Sequence, residues 1–291
     1  MRFIRYRRDG QEALGVETGA GLRGMATTDP AFPGTLDSLV QAGSDLGVAA
    51  EALAKGEHVP VEQIEYLPLF TASRKILCVG LNYRDHSAES GYEQPNYPTV
   101  FARFSSGLIG HQASMVRPDM SDTLDYEGEL VAVIGRTAYR VSEADALSHV
   151  AGYTIFNDGS VRAYQHATPQ WTIGKNFNST GSLGPSFVTA DELPSGCLGL
   201  TLETRLNGEV VQHAKIDDMV FGVESLVSIL SQTMTLEPGD LIATGTPSGV
   251  GAARNPQLFM RPGDRCEVAI DGLGILANAI VAEGAQKRAA A

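Results

Sequence analysis

The stretch Asp125-Tyr126-Glu127-Gly128-Glu129-Leu130-Val131-Ala132-Val133-Ile134 is typical of a β-strand with an acidic start and an apolar end. Side chains alternate across a strand, so Glu127 and Glu129 share a face with Val131 and Val133. Two carboxylates beside an apolar core raise each other's pKa, and a bound cation is the simplest way to keep both ionised. The E-x-E spacing is common, however, and on spacing alone a solvated face is the more frequent explanation.

Outward from this strand, short apolar runs alternate with turn signals from Arg74 onward, which favours a β-rich α+β fold over a doubly wound one. The predicted strands are 75–81, 127–134, 152–157, 200–206, 209–214, 240–244 and 266–270, and the predicted helices are 142–149 and 223–232. Asn207-Gly208 and Asp271-Gly272 predict hairpins, while Pro238-Gly239-Asp240 and Pro262-Gly263-Asp264 fit type II turns.

The first 70 residues predict a small N-terminal α+β domain. A strand at residues 2–6 meets the hairpin dipeptide Asp9-Gly10, and helices follow at 35–42 and at 45–55, the second capped by Ser44. We expect residues 71–285 to form the catalytic domain. Residues 286–291 lack apolar periodicity and are expected to be a frayed tail.

The composition excludes several classes of partner. The chain has 291 residues and a formal net charge of −12, so its field repels nucleic acid and anionic membranes. No apolar run approaches the roughly 20 residues that cross a bilayer. Cys78, Cys197 and Cys266 form no C-x-x-C pair and lie mostly in apolar runs, as reduced thiols do in a cytoplasmic protein.

A second acidic position follows the apolar run 152–157, where Asp158 stands at the end of the predicted strand. If a helical turn begins there, Asp158, Arg162 and Gln165 fall on one face and combine an acid, a fixed cation and an amide. A helix-terminal acid paired internally with arginine explains the same pattern equally well.

Two polar segments offer candidate catalytic groups. In a helix, His86 and Glu89 are neighbours, giving an imidazole oriented by a carboxylate, although a solvated surface helix has the same sequence. Lys175 lies in an apolar and aromatic stretch, where it must find an anion or lose its charge. A substrate carboxylate or an enolate oxygen would be such an anion.

The glycine-rich run 245–251 lacks the Gly-Lys-Ser/Thr end of a phosphate loop and the βαβ context of a dinucleotide site, so nucleotide binding is not expected. A tight loop that offers backbone N–H groups or the Thr246 hydroxyl to a ligand fits better. The remaining histidines have no partner at ligand spacing, and core or surface roles are expected for them: His111, His149, His166 and His213.

Taken in order, these motifs closely resemble the fumarylacetoacetate hydrolase family from about residue 74 to residue 283. The matching segments are GLNYRDH at 80–86, DYEGE at 125–129, Asn157-Asp158 with Arg162 and Gln165, GKNF at 174–177, Pro238-Gly239-Asp240, and TGTPSGVG at 244–251. Several motifs in a fixed order are far more specific than any one of them.

The resemblance implies a mixed β-roll catalytic domain, a homodimer, and a Mg²⁺ or Mn²⁺ ion held by Glu127, Glu129 and Asp158, which suits hard oxygen-preferring ions. It also implies that His86 and Glu89 lie on a lid, the histidine activating water and the glutamate orienting it. The positions that would contact substrate oxygens are Lys175, Arg162 and Gln165, with Arg103 and Thr246 as further candidates for substrate binding.

Two departures from the family pattern bear on the substrate. Some relatives add a carboxylate ligand ahead of the E-x-E strand, yet residues 101–106 contain none, so three protein ligands are expected. Arg103 stands where relatives acting on short pyruvate-bearing substrates often carry lysine, and Asn178 stands where they often carry aspartate.

The resemblance therefore predicts an enzyme that hydrolyses a carbon–carbon bond of a 2,4-diketo acid, such as fumarylpyruvate or maleylpyruvate, in aromatic or sugar-acid catabolism. When this bond breaks, the departing carbon leaves as an enolate, and the metal stabilises the negative charge of that enolate. The same enolate serves an isomerase or tautomerase and an oxaloacetate-type decarboxylase, which remain alternatives. The His86 and Glu89 pair favours hydrolysis, and a non-catalytic ligand-binding homologue is disfavoured because ligands, lid pair and lysine occur together.

Overall fold

The computed structural model describes residues 1–89 and 96–285, with the side chains of residues 86–88 excepted. The strands are β1 Arg2–Arg8, β2 Gln11–Thr18, β3 Gly21–Ala26, β4 Glu57–His58, β5 Glu65–Tyr66, β6 Ile76–Gly80, β7 Thr99–Ala102, β8 Leu108–Ile109, β9 Met115–Arg117, β10 Leu124–Asp125, β11 Gly128–Ile134, β12 Val150–Asp158, β13 Ser160–Val161, β14 Gly181–Thr189, β15 Thr201–Leu206, β16 Glu209–Lys215, β17 Leu241–Ala243, β18 Arg265–Ile270 and β19 Gly274–Ala282. The helices are α1 Leu36–Gln41, α2 Leu46–Ala54, α3 Arg84–Glu89, α4 Glu143–Ala146, α5 Arg162–Gln165, α6 Thr172–Lys175 and α7 Val223–Thr233.

Two mixed sheets organise the described residues. The larger has the order β4-β3-β2-β1-β14-β12-β11-β17-β6-β7, with β5 beside β1 and β8 beside β14. The smaller has the order β16-β15-β18-β19-β9. Most neighbours are antiparallel, and the pairs β17 with β6, β14 with β8, and β19 with β9 are parallel. The β-rich α+β class is confirmed.

Strand β11 lies at the centre of the larger sheet and is buried on both faces. Leu130, Ala132 and Ile134 join a core with the smaller sheet and α7, whereas Val131 and Val133 join the core on the opposite face. The Glu129 side chain lies on the same face of β11 as Val131 and Val133, as the alternation of side chains along a strand predicts. The acidic end of β11 is therefore enclosed by packed structure.

The N-terminal 70 residues join the larger sheet directly, because β1 pairs with β14. Helices α1 and α2 cover the face that carries Val131 and Val133. Asp37 ties α1 to the following chain by accepting hydrogen bonds from the backbone N–H groups of Thr71 and Ala72, at 2.9 to 3.2 Å. The division into domains at residue 70 stays a prediction, and the tail 286–291 lies outside the described residues.

The short-range turn chemistry is confirmed. Asp9 and Gly10, and likewise Asn207 and Gly208, have positive φ at both turn positions, as a type I′ hairpin requires. Gly239 and Gly263 have φ of +89° and +98° in their Pro-Gly-Asp turns.

Three local expectations were wrong. Helix α2 is capped by Asp45, whose carboxylate accepts from the N–H groups of Gly47 and Val48, and not by Ser44. The helix expected at 142–149 ends at Ala146 and continues as a 3₁₀ turn. No helix begins at Asp158, because β13 intervenes before α5.

No helix in the described ranges is long and apolar enough to cross a membrane. Cys78, Cys197 and Cys266 are free and buried. Burial raises the pKa of the Cys197 and Cys266 thiols to about 12, which keeps both protonated and unreactive near neutral pH.

Gly128 sets the distance between the two sheets at the acidic end of β11. A Cβ at this position would lie 2.2 Å from Oγ1 of Thr204 and 2.9 Å from Cγ1 of Val268. We expect Gly128→Ala to lower the free energy of unfolding by about 1–3 kcal/mol through overpacking, measured by urea denaturation. Gly19→Ala is the matched control, because no atom lies within 4 Å of its Cβ position. Equal stability of the two variants would contradict this view of Gly128.

Candidate metal centre and active site

Three buried carboxylates converge where β11 begins and β12 ends. Glu127 precedes β11, Glu129 lies within it, and Asp158 ends the neighbouring strand, with Gly128 paired to Asn157. One oxygen from each of Glu127, Glu129 and Asp158 lies within 4.8 Å of the others. Their exposed fractions are 5%, 1% and 0%, respectively. Strand pairing therefore brings together the two acidic motifs that are about 30 positions apart in the sequence.

Cationic side chains neutralise part of this charge. The Lys175 ammonium lies 2.6 Å from Oε2 of Glu127 and 2.6 Å from Oδ2 of Asp158. It also lies over the ring of Phe101, 4.8 Å from the centroid. Burial lowers the pKa of Lys175, but the charges of Asp158 and Glu127 outweigh it and raise the pKa overall. Lys175 is therefore held as a cation.

Asp125 is a fourth buried carboxylate, and it holds Arg162. The Arg162 guanidinium donates to Oδ2 of Asp125 at 2.8 Å and lies 2.6 Å from Oε1 of Glu127. It also donates to Oε1 of Gln165 at 2.8 Å. Arg162 and Gln165 thus contact each other within α5. Asp158 does not lie on the same helix face as these two residues, as had been predicted, but reaches the cluster from the end of β12.

Glu129 is the carboxylate with the least charge compensation. No ion pair of the described residues includes it, and it accepts a hydrogen bond from the backbone N–H of Gly245 at 3.0 Å. Burial, the Asp158 charge and the Glu127 charge together raise the pKa of Glu129 well above its usual value. Four carboxylates therefore face three cationic side chains, those of Arg103, Arg162 and Lys175. A hard divalent cation between the three carboxylates fits this shortage of positive charge.

A cavity of about 460 Å³ opens onto this cluster. Of the residues predicted for the site, it is lined by Glu89, Glu127, Glu129, Arg162, Gln165, Lys175 and Thr246. Its apolar wall includes Phe101, Trp171 and Phe259. The arrangement combines an acidic floor, cationic and amide donors and an aromatic wall, which suits a small anionic organic molecule.

Arg103 is not among the residues that line this cavity. Its side chain is fully buried behind Asp158, donating to Oδ1 of Asp158 at 2.5 Å, to the carbonyl of Gly159 and to Oγ1 of Thr180. This position does not suit the substrate contact expected for Arg103. It suits orientation of Asp158 instead.

Glu89 ends α3 and faces the glycine-rich loop. Both of its carboxylate oxygens accept from the backbone N–H of Gly249 at 2.9 Å. The chain enters this segment through Leu81, whose φ of +58° is uncommon for a branched residue, a form of strain that clusters at functional sites. The His86 side chain lies outside the described part of the chain, so the lid and its histidine remain predictions.

Three residues beside the carboxylate cluster or the cavity were not assigned to the site from the sequence: Asp125, Gln212 and His166. Asp125 accepts from the N–H groups of Gly251 and Ala252 in addition to Arg162, and its spacing of two from Glu127 was an available signal. His166 lines the cavity, where burial first and the Arg162 charge second lower its pKa. Gln212, on β16, gave no local signal, because its partners are distant in sequence.

Comparisons with known proteins find similar sequences along nearly the whole chain. The family described as fumarylacetoacetate (FAA) hydrolase C-terminal matches residues 75–281. The mitochondrial oxaloacetate tautomerase Fahd2a of Rattus norvegicus is 37% identical over 288 residues, 97% of this chain and 92% of the relative. The oxaloacetate tautomerase YisK of Bacillus subtilis is 38% identical over 264 residues, 86% of this chain and 87% of the relative.

Solved structures show the same fold over the whole length. A fumarylacetoacetate hydrolase from Exiguobacterium antarcticum has a TM-score of 0.83 and 32% identity, covering 97% of this chain and all of that one. A 5-carboxymethyl-2-hydroxymuconate delta-isomerase from Mycobacterium smegmatis has a TM-score of 0.76 and 28% identity, with the same coverage.

The three carboxylates predict a single site for Mn²⁺ or Mg²⁺. We expect Glu129→Gln to weaken Mn²⁺ binding by about 100-fold, because it removes the carboxylate of the trio that forms no ion pair within the described residues. Titration calorimetry with Mn²⁺ measures the effect, and Glu209→Gln on the exposed surface of β16 is the control. Unchanged Mn²⁺ affinity in Glu129→Gln would rule out this metal site.

Proposed function

The chain belongs to the fumarylacetoacetate hydrolase family, and we propose that it is a metal-dependent tautomerase that interconverts the enol and keto forms of oxaloacetate or a closely related 2-oxo acid. The observation that carries the proposal is the pairing of a buried carboxylate trio with the Lys175 and Arg162 cations around one cavity. Relatives named oxaloacetate tautomerases, aligned along nearly the entire chain, support this substrate.

Glu127, Glu129 and Asp158 would hold a Mg²⁺ or Mn²⁺ ion, which when bound would act as a Lewis acid toward the carboxylate and 2-oxo oxygens of the substrate. The chain's own cations complement that chemistry. Lys175 remains protonated and donates toward the enolate oxygen, whose negative charge grows as the keto form loses its C3 proton. Arg162 and Gln165, fixed against each other in α5, orient the substrate's carboxylate.

Tautomerisation moves two protons. Going from enol to keto, the enol oxygen loses a proton and C3 gains one, with no net change in composition. Glu89 is the exposed carboxylate on the cavity wall, and its hydrogen bond to Gly249 fixes its position. We assign it, together with His86, to the proton transfer at C3. Because Glu89 is exposed to solvent, it can exchange that proton with water after each turnover.

Hydrolysis of an acylpyruvate, the activity expected first from the sequence, becomes the second candidate. The named relatives support the tautomerase or isomerase alternative more strongly, and a role in aromatic catabolism stays a prediction. One contact keeps hydrolysis under consideration: Glu89 is held beside the cavity, where it could orient a water-activating histidine. The homodimer stays a prediction, and so does the cytoplasmic location, since several animal relatives are named as mitochondrial.

One substrate panel separates these activities. With Mg²⁺ or Mn²⁺ present, we expect accelerated ketonisation of enol-oxaloacetate, followed by the loss of enol absorbance, and no pyruvate from fumarylpyruvate or maleylpyruvate. Measuring pyruvate from oxaloacetate tests decarboxylation in the same samples. EDTA should abolish the ketonisation. Rapid pyruvate release from an acylpyruvate without tautomerase activity would replace the proposal by the hydrolase.

The role of Glu89 gives a second test. We expect Glu89→Gln to reduce kcat for ketonisation by about 10²–10⁴-fold, the usual contribution of a general acid or base, while Mn²⁺ affinity stays unchanged. The amide keeps the size of the side chain but cannot accept a proton. Glu209→Gln again provides the matched change at an exposed site. Full activity in Glu89→Gln would remove Glu89 from the mechanism.

A further inference from the structure

Gln212 on β16 links the metal-ligand strand to the glycine-rich loop. We propose that Gln212 is a positioning residue that turns the Thr246 hydroxyl into a hydrogen-bond donor toward the ligand's oxygen. The inference deepens the proposed function, on which it rests, by defining the kind of substrate atom that this side of the cavity accepts. It concerns the side-chain amide of a residue that is only 2% exposed.

The orientation of the Gln212 amide follows from its partners. Its Oε1 accepts from the backbone N–H of Gly128 at 3.0 Å. Its Nε2 donates to the carbonyl of Pro247 and to Oγ1 of Thr246, each at 2.8 Å. A backbone N–H only donates and a carbonyl only accepts, so exchanging the amide oxygen and nitrogen would break both contacts.

This orientation determines what the Thr246 hydroxyl can do. Since Gln212 uses both amide protons as a donor, Thr246 accepts from it and must direct its own proton elsewhere. Thr246 is 2% exposed and lines the cavity, and across residues 1–89 and 96–285 no protein acceptor for that proton is found. A buried hydroxyl without an acceptor is unfavourable, so an acceptor oxygen on a ligand completes the network.

The donor lies beside the metal centre. The N–H of Gly245, the residue before Thr246, donates to Glu129, and the N–H that Gln212 binds belongs to Gly128, between Glu127 and Glu129. Thr246 therefore faces the part of the ligand nearest the three carboxylates. In a 2-oxo acid this part is the carboxylate and 2-oxo group, whose oxygens are acceptors only.

Local packing holds Gln212 against the loop. The register of β15 and β16 shifts here, since Thr204 pairs with Gln212 but Arg205 pairs with Val210. Val211 is therefore an extra residue in β16, and such a bulge changes the direction of the side chains beside it. A Cβ on Gly249 would lie 2.0 Å from the Val211 carbonyl oxygen. Arg254 donates to that same carbonyl at 2.6 Å and to the Gly249 carbonyl at 3.0 Å. The amide and the loop are thus fixed to each other.

A double-mutant cycle tests this hydrogen-bond relay, which runs from Gln212 through the Thr246 hydroxyl to the ligand. The variants are Gln212→Met, Thr246→Val and the double variant, with Thr246→Ser to retain the hydroxyl and Gln41→Met to remove a glutamine hydrogen bond far from the cavity. The readouts are the Kd of oxalate, an analogue of a 2-oxo acid enolate, on the Mn²⁺-loaded protein, and kcat/KM for oxaloacetate ketonisation. The Kd of Mn²⁺ alone and the melting temperature report on structural damage.

We expect Thr246→Val and Gln212→Met each to weaken oxalate binding by about tenfold, the scale of one hydrogen bond to a charged group. The double variant should lose no more than Thr246→Val alone, since Gln212 acts through the hydroxyl. Thr246→Ser should retain most of the affinity. Gln41→Met should leave oxalate binding unchanged, and Mn²⁺ affinity should change little in any variant.

Additive losses in the double variant, or unchanged oxalate affinity in Thr246→Val, would overturn the relay. If Gln212→Met fails to fold, the comparison of Thr246→Val with Thr246→Ser still decides whether the hydroxyl proton contacts the ligand. The two proposals can fail separately. If the variants show coupled losses of oxalate affinity but the wild-type protein does not accelerate ketonisation, the tautomerase proposal is refuted and the role of Gln212 is supported.

Discussion

The charge density at the start of β11 constrains the rest of the site. Four carboxylates, those of Asp125, Glu127, Glu129 and Asp158, are buried together where β11 begins and β12 ends. Burying a charge without a partner costs several kcal/mol, so neighbouring elements must supply cations and N–H donors. Helix α5 supplies Arg162, α6 supplies Lys175, the segment after β7 supplies Arg103, and the glycine-rich loop supplies backbone N–H groups. The short helices α5 and α6 are explained by this demand for charge compensation more than by intrinsic helix propensity.

The double-sheet architecture makes this burial possible. Apolar side chains on both faces of β11 fix the strand between two cores, and Gly128 allows the smaller sheet to approach closely at the acidic end. A side chain at that position would separate the sheets beside Glu127 and Glu129, so the glycine between them is a packing requirement. Rigid strands on either side hold the carboxylates in one geometry before any ligand binds. Such preorganisation is what a site that stabilises an enolate requires.

The sequence predicted the features that depend on local chemistry. Two-residue turns at Asp9-Gly10 and Asn207-Gly208 need positive φ, and the parity of Glu127 and Glu129 follows from strand geometry alone. Strand β14, which joins β1 to β12, is absent from the predicted strands, and it contains the dipeptide Gly184-Pro185, which is more typical of turns than of strands. Arg103 was assigned to the substrate alongside the family resemblance, and its contact with Asp158, 55 positions away, left no local signal. Gln212 was overlooked for the same reason. Long-range pairing decides where such side chains point, and no local pattern encodes it.

The choice between hydrolase and tautomerase is harder to predict than the carboxylate cluster, because both candidate reactions use one enolate and therefore the same proposed ligands and cations. What separates them is the chemistry at C3 and C4: tautomerisation moves a proton at C3 of the enolate, whereas hydrolysis delivers water to the C4 carbonyl of a 2,4-diketo acid. Glu89 lines the cavity and accepts a hydrogen bond from the backbone N–H of Gly249 in the glycine-rich loop. The loop is also tied to Glu129 through Gly245 and to Asp125 through Gly251. Because the same backbone segment contacts Glu129 on β11 and Glu89 on α3, a change in the loop would alter both contacts together. Divergence of activity within this fold is therefore expected in the α3 segment, which contacts the loop without contributing to the carboxylate trio.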